Sequence, residues 1–296
     1  MTETTMTLRA VTVPPAPKGL IPLPAAAARA LILIGGIATA ASAYLAWTWT
    51  SEFPGDLTVT GYPGGLQWLT FTAGVLTALF ALGSYRVRGL GWLIPGGNNA
   101  PLVLTALSGF AVTWYTVISI AVELGGLANL EPGGWIAAIA ALIPVLGAFA
   151  LPEQNTGTTK ETLKAYITKP DNIPAGRSRR RRHRAGRAGP TAIQRTSGWG
   201  QRAVITLVTI VGLAVFTYGI DTEYGELFIG YLIVVIGAVW ALHTAGLLQR
   251  FSGIVAHNRS FMLAVGFLAA IAFPFTQTDD HYANIGVNIL IFGTVA

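Results

Sequence analysis

The chain has no cysteine, only four histidines and only 13 acidic residues among 296. Without thiols there are no disulfides, no thiolate metal sites and no cysteine nucleophile. Charged residues make up 11% of the chain, against roughly 25% in ordinary soluble domains. No Gly-rich phosphate loop leads into a Gly-Lys-Ser/Thr string, so any nucleotide that drives this protein binds to another subunit. His183, His257 and His281 fall in connections, without the mutual spacing of metal ligands. Asp279 and Asp280 adjoin His281, but consecutive positions in one loop do not build a triad or a metal site. We therefore expect no enzyme: no catalytic residue, no cofactor site and no metal site.

Apolar residues, at 52%, and a mean hydropathy of +0.56 point to the membrane class instead. A hydrocarbon core of about 30 Å needs about 20 apolar residues in a helix. Seven runs reach or approach that length: Ala30–Trp49, Gly65–Tyr85, Pro101–Val122, Gly133–Leu151, Ala203–Gly219, Leu227–Leu248 and Ser260–Phe275. An eighth runs from Tyr282 to Ala296, where the sequence stops inside an apolar stretch. A helix ending in mid-bilayer would leave carbonyls without partners, so this run is expected to be cut short, the sequence being the front of a longer polypeptide. The fold class expected is all-α and polytopic. Interfacial residues fit these limits, with Trp47, Trp49, Trp68, Trp92, Trp135 and Tyr85 near span ends, where the headgroup zone suits their rings. Asn99 ahead of Pro101 reads as a helix cap, and Pro144 and Pro274 as tolerated kinks.

Cations are missing from every second connection. If the connections are assigned alternately to two faces, all 19 Lys and Arg fall on one of them. The other receives only acids: Glu52, Asp56, Glu123, Glu131, Asp221, Glu223, Glu226, Asp279 and Asp280. Membrane insertion retains Lys and Arg in the cytoplasm, which puts the N-terminus inside a bacterial inner membrane. The first 24 residues, broken by five prolines, lack the basic-then-apolar pattern of a signal peptide.

Four segments follow. Residues 1–29 are a disordered cytoplasmic lead-in, 30–151 a four-helix module, 152–202 a basic cytoplasmic linker and 203–296 a rear membrane module. Gly55-Asp56-Leu57 leading to Pro63-Gly64-Gly65 resembles Gly125-Gly126-Leu127 leading to Pro132-Gly133-Gly134. The front four spans thus read either as duplicated hairpins or as two uses of a good turn before a helix.

In the linker, Arg177, Arg179, Arg180, Arg181, Arg182, Arg184 and Arg187 form the densest charge cluster. Such a run can bind nucleic acid through phosphates, but no stacking aromatic is interleaved. We favour a topology anchor on anionic lipid headgroups, worth about 1 kcal/mol per cation near the surface, with no nucleic acid as partner. His243 is the only ionisable residue well inside a run, a weak polar candidate. No acid in another span partners it, which favours a neutral imidazole bonded to a backbone carbonyl or water. Because the spans carry no acids, ion coupling has little support.

The rear module resembles a known family. Ser260 to Phe275, then a short acidic loop, then Tyr282 to Ala296 resembles the opening of the core of branched-chain amino acid ABC importer permeases. Trp47 to Leu57 resembles the additional N-terminal helices of long actinobacterial members. The resemblance implies translocation of leucine, isoleucine and valine, or related amides. It implies as partners a second permease subunit, two ATPase subunits and an extracytoplasmic substrate-binding protein. The Gly-rich stretch and the ATPase-coupling loop of that family are absent, so no transport residue carries over and the piece alone is expected not to transport. A non-transporting structural or regulatory membrane module is the alternative.

Overall fold

The computed structural model describes residues 20–49, 64–85, 87, 89–94, 98–152, 198–222 and 224–277, with Asn284, Val287 and Asn288. Among these the fold is all-helical. Seven helices are long and apolar enough to cross a membrane, consistent with a polytopic membrane protein. They begin with α1 (Ala25–Ser42), α2 (Gly65–Ser84), α3 (Ala100–Glu123) and α4 (Pro132–Ala150). After the basic segment come α5 (Gly198–Ile220), α6 (Gly225–Thr244), the short α7 (Leu247–His257) and α8 (Arg259–Ala272). A 3-10 turn, Phe273–Thr276, carries Pro274 and completes the seventh span. The Arg177–Arg187 cluster, the first copy of the turn repeat and nearly all of the eighth run lie outside the described residues.

Helix α1 sits between α2 and α4; α3 packs on α2 and α4, and α6 lies along α3 and α2. Glycine makes the first of these contacts possible. A β-carbon on Gly36 would stand 3.0 Å from the Gly74 carbonyl, and one on Gly74 would stand 2.6 Å from the Ala40 amide. The two backbones therefore touch, as small residues permit where apolar burial gives helices no reason to associate. Gly35 admits the ring of Pro144, the proline inside α4. Ser108 fits its hydroxyl against Gly237 of α6 and donates to the Ile233 carbonyl at 3.2 Å.

By contrast, among the described residues α5 and α8 pack mainly on each other. Ile205 is the one buried side chain of α5, and α8 has none. Tyr231 ties the far end of α5 to α6: its hydroxyl donates to the Val215 carbonyl at 2.8 Å, across Gly219.

Several boundaries differ from the sequence expectation. Helix α1 starts five residues early, since Pro24 precedes the strong helix formers Ala25–Ala28, and it stops at Ser42 rather than Trp49. Beyond it the backbone turns, and Thr48 bridges to Leu130. Trp47 is not a headgroup residue. It is fully buried, with its indole Nε1 donating to the Ser42 carbonyl at 2.8 Å, whereas Trp49, Trp68, Trp92, Trp135 and Tyr85 are exposed as expected. Asn99 occupies the N-cap position of α3 as expected, but its side chain does not bond the helix. The side chain of Asn98, one residue earlier, accepts from the Ala100 amide at 3.0 Å, while Asn99 donates to the Pro152 carbonyl at 3.1 Å. Helix α5 begins at Gly198, inside the stretch expected to be linker.

Candidate functional site

The helix ends meet in two groups. At one, the connections after α1 and after α3 are bonded together: the Glu131 amide donates to the Trp47 carbonyl at 2.9 Å and the Gly133 amide to the Ala46 carbonyl at 3.1 Å. Gln67, completely buried in the first turn of α2, joins them. Its Nε2 donates to the Leu45 carbonyl at 3.1 Å, and its Oε1 accepts from the Gly64 amide at 2.9 Å. Sequence reasoning missed this residue; a lone amide just after Pro-Gly-Gly in an apolar run was the available signal.

At the opposite end, Tyr85 donates to the Ala26 carbonyl at 3.1 Å, Asn98 to the Thr244 carbonyl at 3.2 Å, and Arg250 to the Trp92 carbonyl at 3.4 Å. Asn258 donates to the Gln201 side chain at 2.8 Å, and Arg202 stands over the Phe261 ring, 5.6 Å from its centroid. The end groups also sort the charges. Among the described residues all four arginines, Arg29, Arg202, Arg250 and Arg259, belong to this end. The four described acids, Glu123, Glu131, Asp221 and Glu226, belong to the other.

His243 lies at this arginine end. The sequence placed it some five residues inside a span. It is instead the penultimate residue of α6, because Gly246 takes a left-handed conformation (φ +77°) and turns the chain into α7. That turn ends the helix four residues before Leu248. The imidazole is exposed. It lines a groove of about 330 Å³ with Val235, Ile236, Val239, Trp240 and Leu248.

Helix α7 itself was read from sequence as a connection. Leu247, Leu248, Phe251, Ile254 and Val255 recur at helical spacing, opposite Gln249, Arg250, Ser252 and His257. Among the described helices this is the most amphipathic, and Ile254 is its buried anchor.

Apart from Gln67, most of the buried polar side chains of α1–α3 are hydroxyls. Thr39, Thr77, Thr113 and Thr116 each donate to the carbonyl four residues before them, which satisfies them within their own helices, whereas the buried Thr70 hydroxyl has no hydrogen-bond partner among the described residues. Among the described residues no group of three or more His, Asp or Glu could hold a metal ion. Compared with known proteins, the chain matches no family model, no curated protein and no solved structure.

Proposed function

We propose that this chain is a multi-pass protein of a bacterial inner membrane, its N-terminus cytoplasmic, working as the membrane-spanning permease component of an ABC importer for branched-chain amino acids. The observation that carries the membrane reading is the segregation of described arginines and acids to opposite ends of one helix bundle. Neutral apolar flanks between two oppositely charged ends, about one hydrocarbon thickness apart, are what a bilayer imposes on a polytopic chain.

Two further features support the importer reading. The seventh span ends in Pro274, as the resembling segment requires. Helices α5 and α8 leave nearly their whole apolar surface for other helices or lipid, as expected of subunits that assemble with a second permease. On this reading, energy comes from separate ATPase subunits. The alternative, a non-transporting structural module, draws on the closed packing of α1–α4, whose glycine contacts and bonded connections make a rigid scaffold.

Orientation is tested by reporter fusion. Alkaline phosphatase joined after Asp56, Leu127, Glu223 or Asp279 is expected to be active, and near Arg88, Arg181 or Arg250 silent. Activity at Arg181 would reverse the topology. Importer function is tested by disrupting the gene in its own cell and measuring uptake of labelled leucine, isoleucine and valine at low external concentration. Loss of uptake supports the permease; unchanged uptake with an intact membrane profile points to the structural module.

A further inference from the structure

The face of α6 that packs on the bundle is made by Leu227, Gly230, Val234, Gly237 and Ala241. Groove residues Val235, Ile236, Val239, Trp240 and His243 recur at helical spacing on the opposite, outward face. From Val235 to His243 is eight residue steps, about 12 Å at 1.5 Å per step. At the foot of this strip the left-handed Gly246 turns the chain into α7, and Leu248 closes the corner from that second element. The corner is tied to the bundle by Asn98, which donates to the Thr244 carbonyl. It stands at the end of the bundle where every described arginine lies.

We infer that this corner is a binding site for a single anionic phospholipid. One acyl chain lies along Val235, Ile236, Val239 and Trp240, and the phosphate-bearing headgroup rests over the start of α7, by His243, Gln249 and Arg250. The inference rests on the membrane reading above and deepens it. An apolar wall lined by one span suits a hydrocarbon tail of any lipid. The choice of an anionic head comes from the cations: Arg250 is two residues past the groove wall, on the polar edge of an amphipathic helix suited to lie in the headgroup plane.

The test uses the full chain in phosphatidylcholine nanodiscs, into which brominated phosphatidylglycerol or brominated phosphatidylcholine is introduced. Quenching of Trp240 is read as the difference between the wild type and Trp240→Phe. The anionic lipid is expected to half-quench Trp240 at roughly fivefold lower mole fraction than the neutral one, the factor that one cation contributes at such a surface. Arg250→Gln should remove that preference, and Val239→Phe, which fills the groove from an exposed position, should weaken quenching by both lipids. Equal quenching by the two lipids, or no effect of either substitution, would overturn the site. Carbonate-resistant recovery of the same preparation separates the two levels: a chain that stays in the membrane fraction without lipid preference refutes this site alone, and a chain released from it refutes the membrane reading too.

Discussion

Gly74→Leu is expected to abolish most of the folded, detergent-extractable protein. A β-carbon at Gly74 would meet the Ala40 amide at 2.6 Å and the Gly36 carbonyl at 2.8 Å, and both are backbone atoms of α1. A flexible side chain could move aside, whereas a helix backbone has to shift as a whole. Helix α1 cannot back away, since its other side is pressed against α4, where Gly147 faces the Ala28 carbonyl and Gly35 faces Pro144. Overpacking a well-filled core costs about 1–3 kcal/mol, and a helix held on both sides belongs at the top of that range. At 2–4 °C per kcal/mol the thermal midpoint should drop by roughly 10 °C. Gly266→Leu is the matched control. A β-carbon there meets nothing within 4 Å, so thermal scans should place it within about 0.5 kcal/mol of the parent. Equal losses in both variants would show that leucine harms this chain for a reason unrelated to the α1–α2 contact.

The contrast between these two glycines also marks what the sequence could not reveal. Both sit in apolar runs of similar composition, and only the fold tells which one faces a neighbouring backbone. The runs themselves were legible, because bilayer thickness sets a length that composition must meet. Their limits were less so. Apolarity continues past Ser42 and past Thr244, so a hydropathy window runs on where the helix has already turned. His243 could be singled out as the ionisable residue inside a run, but its place on the outer corner of α6 depended on the left-handed Gly246. Helix α7 did carry a readable pattern in Leu248, Phe251, Ile254 and Val255. At 11 residues it is too short to span, and an amphipathic segment that lies flat is easily merged into the connection between two spans.

Trp47 is the sharpest case, and its replacement tests whether the bundle is closed from within. A tryptophan just past a span reads as a headgroup anchor, which would tolerate alanine with little loss. In the fold its ring is completely buried, its indole holds the last carbonyl of α1, and its own carbonyl accepts the Glu131 amide. Removing a buried Trp side chain costs about 3–5 kcal/mol. Trp47→Ala should therefore destabilise the protein as severely as Gly74→Leu. Trp47→Phe keeps most of the apolar contact and gives up the bond to the Ser42 carbonyl, a loss of about 1 kcal/mol. Trp49, 61% exposed two residues away, supplies the comparison, and Trp49→Ala should leave the thermal midpoint nearly unchanged. Limited proteolysis adds a readout particular to the bonded connections. If Trp47 pins the turn before α4, its alanine variant should expose the segment around Leu127–Leu130 to cleavage well below the unfolding temperature. A Trp47→Ala protein as stable as Trp49→Ala, with that segment still protected, would mean that the glycine contacts alone hold the two hairpins together.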